Sequence, residues 1–420
     1  MSGNSDQGLG PPHLSRITSI DALRGFVMFM MIFVNDLAGA PAKIVPDWMS
    51  HFSDRHQTGS GMTFVDLVFP AFLFLVGMSI PFALGSRLNR GEARRKIFGH
   101  VAARTLALLA LGLLMVNGES GVAAWWWATM FTSGILAFCT IRPPGTAPNT
   151  TAAKRWNILT IVLRTVGLVG MVYCAFVFQD HQGNRMLTLS PFYLNTSWYG
   201  ILGLIGWAYL AAAILFLIFR TNRTALLGCV ALMTCFYTAN QNHFFDHFWP
   251  ARFVDFGGTL GSQAAITVAG VLLASILVTP DMATLKARVK FTLLFIAGFA
   301  LGALLWNGLY GISKDNATPS WCLWSCAITA TLWLGFHFMC DVKPVKALAR
   351  PLAIAGQNVL LAYLLSEMME SVLHLLHLGN WYDHLSEANL AAAIARSAGC
   401  GILILLVTAG LNRLGFRLKL

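Results

Sequence analysis

The sequence predicts an all-α polytopic membrane protein of about twelve transmembrane helices, with eleven as the rival count and the N-terminus in the cytoplasm. Three observations carry this expectation. Of 420 residues, 56% are hydrophobic and 11% charged, whereas soluble domains carry about 25% charged side chains. The mean hydropathy is +0.63, and apolar runs of about 20 residues recur along the chain, too often for a soluble enzyme with buried helices. Basic residues also segregate between alternate loops, as shown below.

The candidate spans lie at about 18–39, 64–86, 100–117, 125–141, 157–178, 200–219, 223–240, 262–279, 291–311, 321–340, 347–370 and 397–415. The first opens on SIDALRGF and closes on FVND, so polar groups stand at both its ends. The second begins in TFVDLVFP, with Asp66 just inside the apolar run. The fourth, WWWATMFTSGILAFCTI, is short and reads as tilted or partly re-entrant. Several spans contain Gly or Pro, which membrane helices tolerate when neighbouring groups satisfy the freed backbone.

With the N-terminus inside, the cytoplasmic side holds 20 Lys or Arg and the outer side 6, namely Lys43, Arg55, Arg185, Arg252, Lys314 and Arg396. That bias has the sign of positive-loop retention in the cytoplasm. The formal net charge of +11 is therefore largely topological and calls for no nucleic acid. Eight cysteines are scattered without CxxC or zinc-ligand spacing, so they read as small buried hydrophobes and no metal is expected. The polar start lacks a cleavable apolar core. Residues 1–17 are expected to form a short cytoplasmic tail and 18–420 a single membrane domain without internal repeats. The longer outer loops, about 40–63, 179–199, 241–261 and 371–396, are rich in aromatic and polar groups and could roof a cavity.

Ionisable groups in hydrocarbon are costly, with insertion scales near ~3 kcal/mol at the centre, so those within spans are informative. Asp21 and Arg24 share a helix face, either to pair or to leave Arg24 for an anionic ligand such as a nucleotide phosphate. Asn35 can orient an amine, hydroxyl or imidazole, or cap its helix. Asp66 can fix the tautomer of a nearby imidazole, bind a ligand, or serve as a helix N-terminal carboxylate. His56 joins a Gly-rich approach to an outer boundary, and a neutral imidazole there can take a proton from an attacking amine or hydroxyl. Asn307, Lys314 and TPSW lie near the outer ends of later spans, while Asn358, Glu367 and Glu370 share one span. These face a polar cavity or satisfy buried hydrogen bonds.

SIDALRGFVMF, FVND and HQTGSGMTFVDLVFPAFLFLVGMSI together resemble the heparan-alpha-glucosaminide N-acetyltransferase family, including its bacterial NagX-like members, within the transmembrane acyltransferases. WYGILGLIGWAYL, TPSWCLWS, DVK and GQNVLLAYLLSE extend the resemblance over about residues 15–370. It implies acetyl transfer from cytoplasmic acetyl-CoA to an amino sugar or related glycan on the periplasmic side of a bacterial inner membrane. The family's catalytic histidine matches His56 by its interval to Thr63, its asparagine matches Asn35, and its acidic residue matches Asp66. Asp21 and Arg24 match its SLDxxRG-like start, and QTGSG stands where the family often has Trp-Asn-Gly. On this reading Arg24 and Arg104 receive the acetyl-CoA phosphates, Asn35 or a group near Ser320 supplies the oxyanion donor, and Thr63, Asn307, Asn358 and Glu367 give support. A transporter of amino sugar or N-acetylglucosamine is the alternative. A lipid bilayer, a sugar acceptor and a homodimer complete the expected partners.

Overall fold

The computed structural model describes residues 17–56, 59–119, 122–147, 150–179, 183–189, 192–194, 199–342 and 345–420. The expected N-terminal tail, as far as residue 16, and Lys343 of DVK lie outside them. The helices are α1 Thr18–Ala38, α2 Phe52–Arg55, α3 Val68–Asn89, α4 Arg94–Gly118, α5 Ala124–Phe138, α6 Thr151–Val177, α7 Gly200–Phe219 and α8 Arg223–Gln241. They continue with α9 Ala264–Val278, α10 Leu285–Tyr310, α11 Pro319–His337, α12 Lys346–Ala355, α13 Val359–Leu375, α14 Gly379–His384 and α15 Leu390–Arg413. Two small antiparallel pairs join β1 Cys139–Ile141 to β4 Phe416–Leu418, and β2 Leu187–Leu189 to β3 Phe192–Leu194.

The protein is an all-α multi-pass membrane protein, but the expectation of about twelve spans is overturned. Among the described residues eight helices are long and apolar enough to cross a membrane, or nine if α12 and α13, bent by 75°, are one broken span. The remaining expected segments fall short for physical reasons. α5 has 15 residues, which reach about 22 Å against a hydrocarbon core of about 30 Å. α8 ends in Thr238, Asn240 and Gln241, whereas α1, at 21 residues long enough to run from face to face, is left out of the apolar count while carrying Asp21, Arg24 and Asp36 near its ends. With the count corrected, the loop alternation that placed the N-terminus in the cytoplasm loses its basis.

Local chemistry sets where several helices begin. Thr150, Asn222, Thr284 and Asn389 each accept a backbone N–H three residues on, capping α6, α8, α10 and α15. α9 is the centre: every residue from Ala264 to Ile276 is buried, as suits a helix apolar on all sides. It lies close against α3 at Gly77 and Gly270, where a Cβ would meet the backbone of Thr267 and Phe74. In lipid, where apolar burial drives little, such small-residue contacts let dispersion between backbones act. α6 and α10 bury few side chains and form the lipid-facing rim.

α1 organises the functional region. Gly25 packs on the Leu352 carbonyl and Gly356 on that of Asp21, so α1 crosses the α12–α13 bend at backbone contact. α1 and α3 run in opposite directions. Arg24, near the start of α1, therefore meets Ser79 deep in α3, whereas Asp66, just before α3, stands by the loop that follows α1.

Candidate active site

At that loop end, Arg55 shapes the chain from 40 to 56. Its guanidinium donates to the carbonyls of Ala42 and Val45 at 2.5 and 2.9 Å and to Ser50 Oγ at 3.2 Å. The folded loop delivers His51 to Asp66, with Nδ1 2.7 Å from Oδ1. Asp66 is 2% exposed. Its Oδ2 accepts the backbone N–H of Thr63 at 2.9 Å and of Phe52 at 3.1 Å, and Trp321 Nε1 donates to its carbonyl at 3.2 Å. The carboxylate is thus held by fixed donors on one oxygen and presents the other to an imidazole whose side chain is 32% exposed. A buried carboxylate on Nδ1 leaves Nε2 as the ring's proton acceptor, the arrangement of a general base.

The structure does not bring His56 to this carboxylate. His56 ends α2, is exposed, and lays its ring against Phe52 at 4.6 Å. Thr63 braces the loop, donating from Oγ1 to the Ser50 carbonyl at 2.7 Å. Lys314, on the turn between α10 and α11, places Nζ 3.2 and 3.3 Å from the two ring nitrogens of His51. Asn307 accepts from Ser60 Oγ at 3.3 Å, and buried Ser320 donates to the Gly311 carbonyl, so both fasten this turn from its edges.

Asn35 belongs to a neighbouring cavity of about 440 Å³, donating to Glu367 Oε1 at 3.5 Å beside Glu370 and His374. One wall of it is a closed ionic cluster: Arg396 donates to Asp36 Oδ2 at 3.1 Å, and Ser397 and Tyr382 reach the same carboxylate at 2.7 and 2.6 Å. Burial first, then this bond to Asp36, push the Tyr382 phenol far above its ordinary range.

At the opposite end a cavity of about 480 Å³ is lined by Arg24, Arg87, His100 and Arg104. Arg24 pairs with Asp21 at 2.9 Å and also donates to Ser79 Oγ at 2.6 Å and to the Gly356 carbonyl at 3.2 Å. That carbonyl is freed by the helix break, and Arg24 satisfies it. Arg104 lies over the Tyr209 ring at 4.5 Å with its buried Nε unpartnered. Arg87 is shared between Glu92 at 3.0 Å and His100 at 3.4 Å. Asn358 sits at the break, where its Oδ1 accepts from Leu418 N at 3.1 Å and its Nδ2 donates to Phe416 O at 3.3 Å.

The cavities follow one another along α1. The basic one extends to Met31, the second begins at Ile32, and a third of about 150 Å³ containing His51 shares Ala38 with the second. Sequence reasoning placed Lys314 near an outer span end without tying it to a histidine, and passed over His51, Arg87 and His100. For His51 a signal existed: a buried carboxylate at 66 needs a partner, and both His51 and His56 lie within the 15 residues before it.

Residues 16–145 match a domain of unknown function, DUF5009. The chain is 31% identical over 121 residues to heparan-alpha-glucosaminide N-acetyltransferase of Homo sapiens and 30% identical over 122 residues to that of Mus musculus. Each alignment covers 29% of this chain and 17% of the relative's length. Over that stretch the chain is similar in sequence to an enzyme named for N-acetyl transfer to a glucosaminide.

Proposed function

We propose that this protein transfers an acetyl group from acetyl-CoA, as substrate, to an amino sugar or related glycan, with His51 rather than His56 as the general base. The observation that carries the reading is the His51–Asp66 pair at one end of α1 together with an arginine-lined cavity at the other. Coenzyme A is large and polyanionic, so moving only its acyl end along α1 avoids taking phosphates through hydrocarbon. Arg24, Arg87 and Arg104 provide the charge for those phosphates, and Arg104 Nε is a donor awaiting an acceptor. The basic run Arg94, Arg95 and Lys96 lies at the start of α4 on that side, which suits a cytoplasmic face. The His51 end would then face the periplasm of a bacterial inner membrane. Asn35 and Glu367 would border the acceptor, and Asn307, Ser320 and Asn358 would hold the loops around the two ends.

Purified protein given acetyl-CoA and glucosamine should release free thiol. His51→Ala should slow that release by about 10²–10⁴-fold, the usual worth of a positioned general base, while His56→Ala retains most of it. The opposite ranking would return the role to His56. Absence of thiol release from the wild type, with sugar accumulation in proteoliposomes lacking acetyl-CoA, would replace acyl transfer by transport.

A further inference from the structure

Lys314 stands 263 positions from His51 in sequence, yet its ammonium touches the ring. The turn that carries it is over-determined. Ile312 N donates to Ser60 Oγ at 2.7 Å, and Gly61 N donates back to the Ile312 carbonyl at 3.0 Å. Ser313 N donates to Thr318 Oγ1 at 3.0 Å, and Ala317 N closes on the Lys314 carbonyl at 2.9 Å. Ala317 itself has φ 47°, a left-handed conformation uncommon for a residue with a Cβ and held only where its surroundings impose it. The turn is thus clamped to the 59–63 stretch, whose Thr63 holds Asp66, and to α11, whose Trp321 holds the same residue.

We propose that Lys314 is a catalytic residue of this site: its ammonium stands against the His51 ring at rest and meets the acyl oxygen during transfer. This rests on the acyl-transfer reading. With Nδ1–H donated to Asp66, Nε2 carries the ring's lone pair, and Lys314, 3.2 and 3.3 Å from the two ring nitrogens, stands beside the ring and leaves Nε2 to the acceptor. An incoming amine or hydroxyl deprotonated at Nε2 therefore reacts next to that ammonium. On its flexible four-carbon arm the ammonium then meets the charge that forms beside it.

The step balances as follows. Nε2 takes the acceptor's proton while the acceptor's own nitrogen or oxygen lone pair attacks the thioester carbonyl carbon, forming the C–N or C–O bond. The carbonyl π pair moves to oxygen and is met by Lys314. Collapse breaks the C–S bond, and the thiolate leaves with the proton from the imidazolium. A cation facing the oxyanion accounts for an acidic partner on the far side of the ring, since Asp66 offsets the imidazolium that Lys314 alone would oppose.

The test is steady-state kinetics of free-thiol release with acetyl-CoA and glucosamine for wild type, Lys314→Met and Lys314→Arg, each checked for monodispersity and thermal unfolding. A single oxyanion donor is worth about 10²–10³ in kcat. The expected result is a kcat loss of that size for Lys314→Met, a KM for acetyl-CoA changed less than about threefold, and partial recovery with Lys314→Arg. A folded Lys314→Met protein with wild-type kcat overturns the assignment, as does a loss confined to KM. A wild type that consumes no thioester instead overturns the acyl-transfer reading on which it rests.

Discussion

The two ends of α1 handle charge in opposite ways. Around His51 the charges are matched locally: one imidazole is in contact with a buried carboxylate and with an ammonium. Around Arg24 they are not, because three arginines and a histidine line one cavity against Asp21 and Glu92. A carboxylate and an ammonium on one imidazole let the ring gain and return a proton with its charge balanced nearby, which suits chemistry. An excess of cations in a concave wall suits holding something anionic in place. The contrast separates residues expected to act on kcat from those expected to act on KM.

The largest effect should come from removing the charge at the matched end. Asp66→Asn keeps the shape but confronts the Thr63 and Phe52 N–H groups with an amide and leaves His51 without its carboxylate. Thiol release should fall by about 10²–10⁴-fold with acetyl-CoA KM nearly unchanged. An increase in KM alone would erase the contrast between the ends. At the basic end, Arg104→Met should raise KM for acetyl-CoA about tenfold, near 1.4 kcal/mol, with kcat retained. The same change in kcat would mean that this cavity is not where the donor is held.

The smallest effect belongs to an ion pair outside both ends. Arg223 grips Asp281 at 2.6 Å. Hydrogen bonding from Arg223 and then Thr279 holds the Asp281 carboxyl well below its ordinary range. A depressed carboxylate contributes stability above its unfolded value of about 3.9 and loses it as pH falls toward the folded value. Asp281→Asn should therefore lower Tm only slightly at neutral pH, since exposed pairs contribute little, and the difference should vanish in acid.

Much of the architecture was legible in the chain. Gly200–Phe219 coincides with the apolar run expected at 200–219, and the polar ends of α1 marked the helix that the cavities follow. Span number was not legible, because an apolar run reads as a span until its helix bounds are known: α5 stops after 15 residues, and α1 and α8 take charged or amide groups into theirs. The site was half legible. Asp66 stood out as a carboxylate in an apolar run, and Arg24 and Arg104 as guanidiniums within spans, but His56 stood out over His51 because of its glycine-rich approach.

What the sequence by itself determined is the solvent of this protein and the rarity, hence the cost, of each polar group inside it, since transfer free energies depend on composition over a short window. Which groups meet was decided only in three dimensions. His51 reaches Asp66 because Arg55 folds the loop behind it, and Lys314 reaches His51 because two distant turns are hydrogen-bonded together. Contacts over 263 positions leave no local pattern, because they depend on how helices pack and not on which residues are neighbours in the chain.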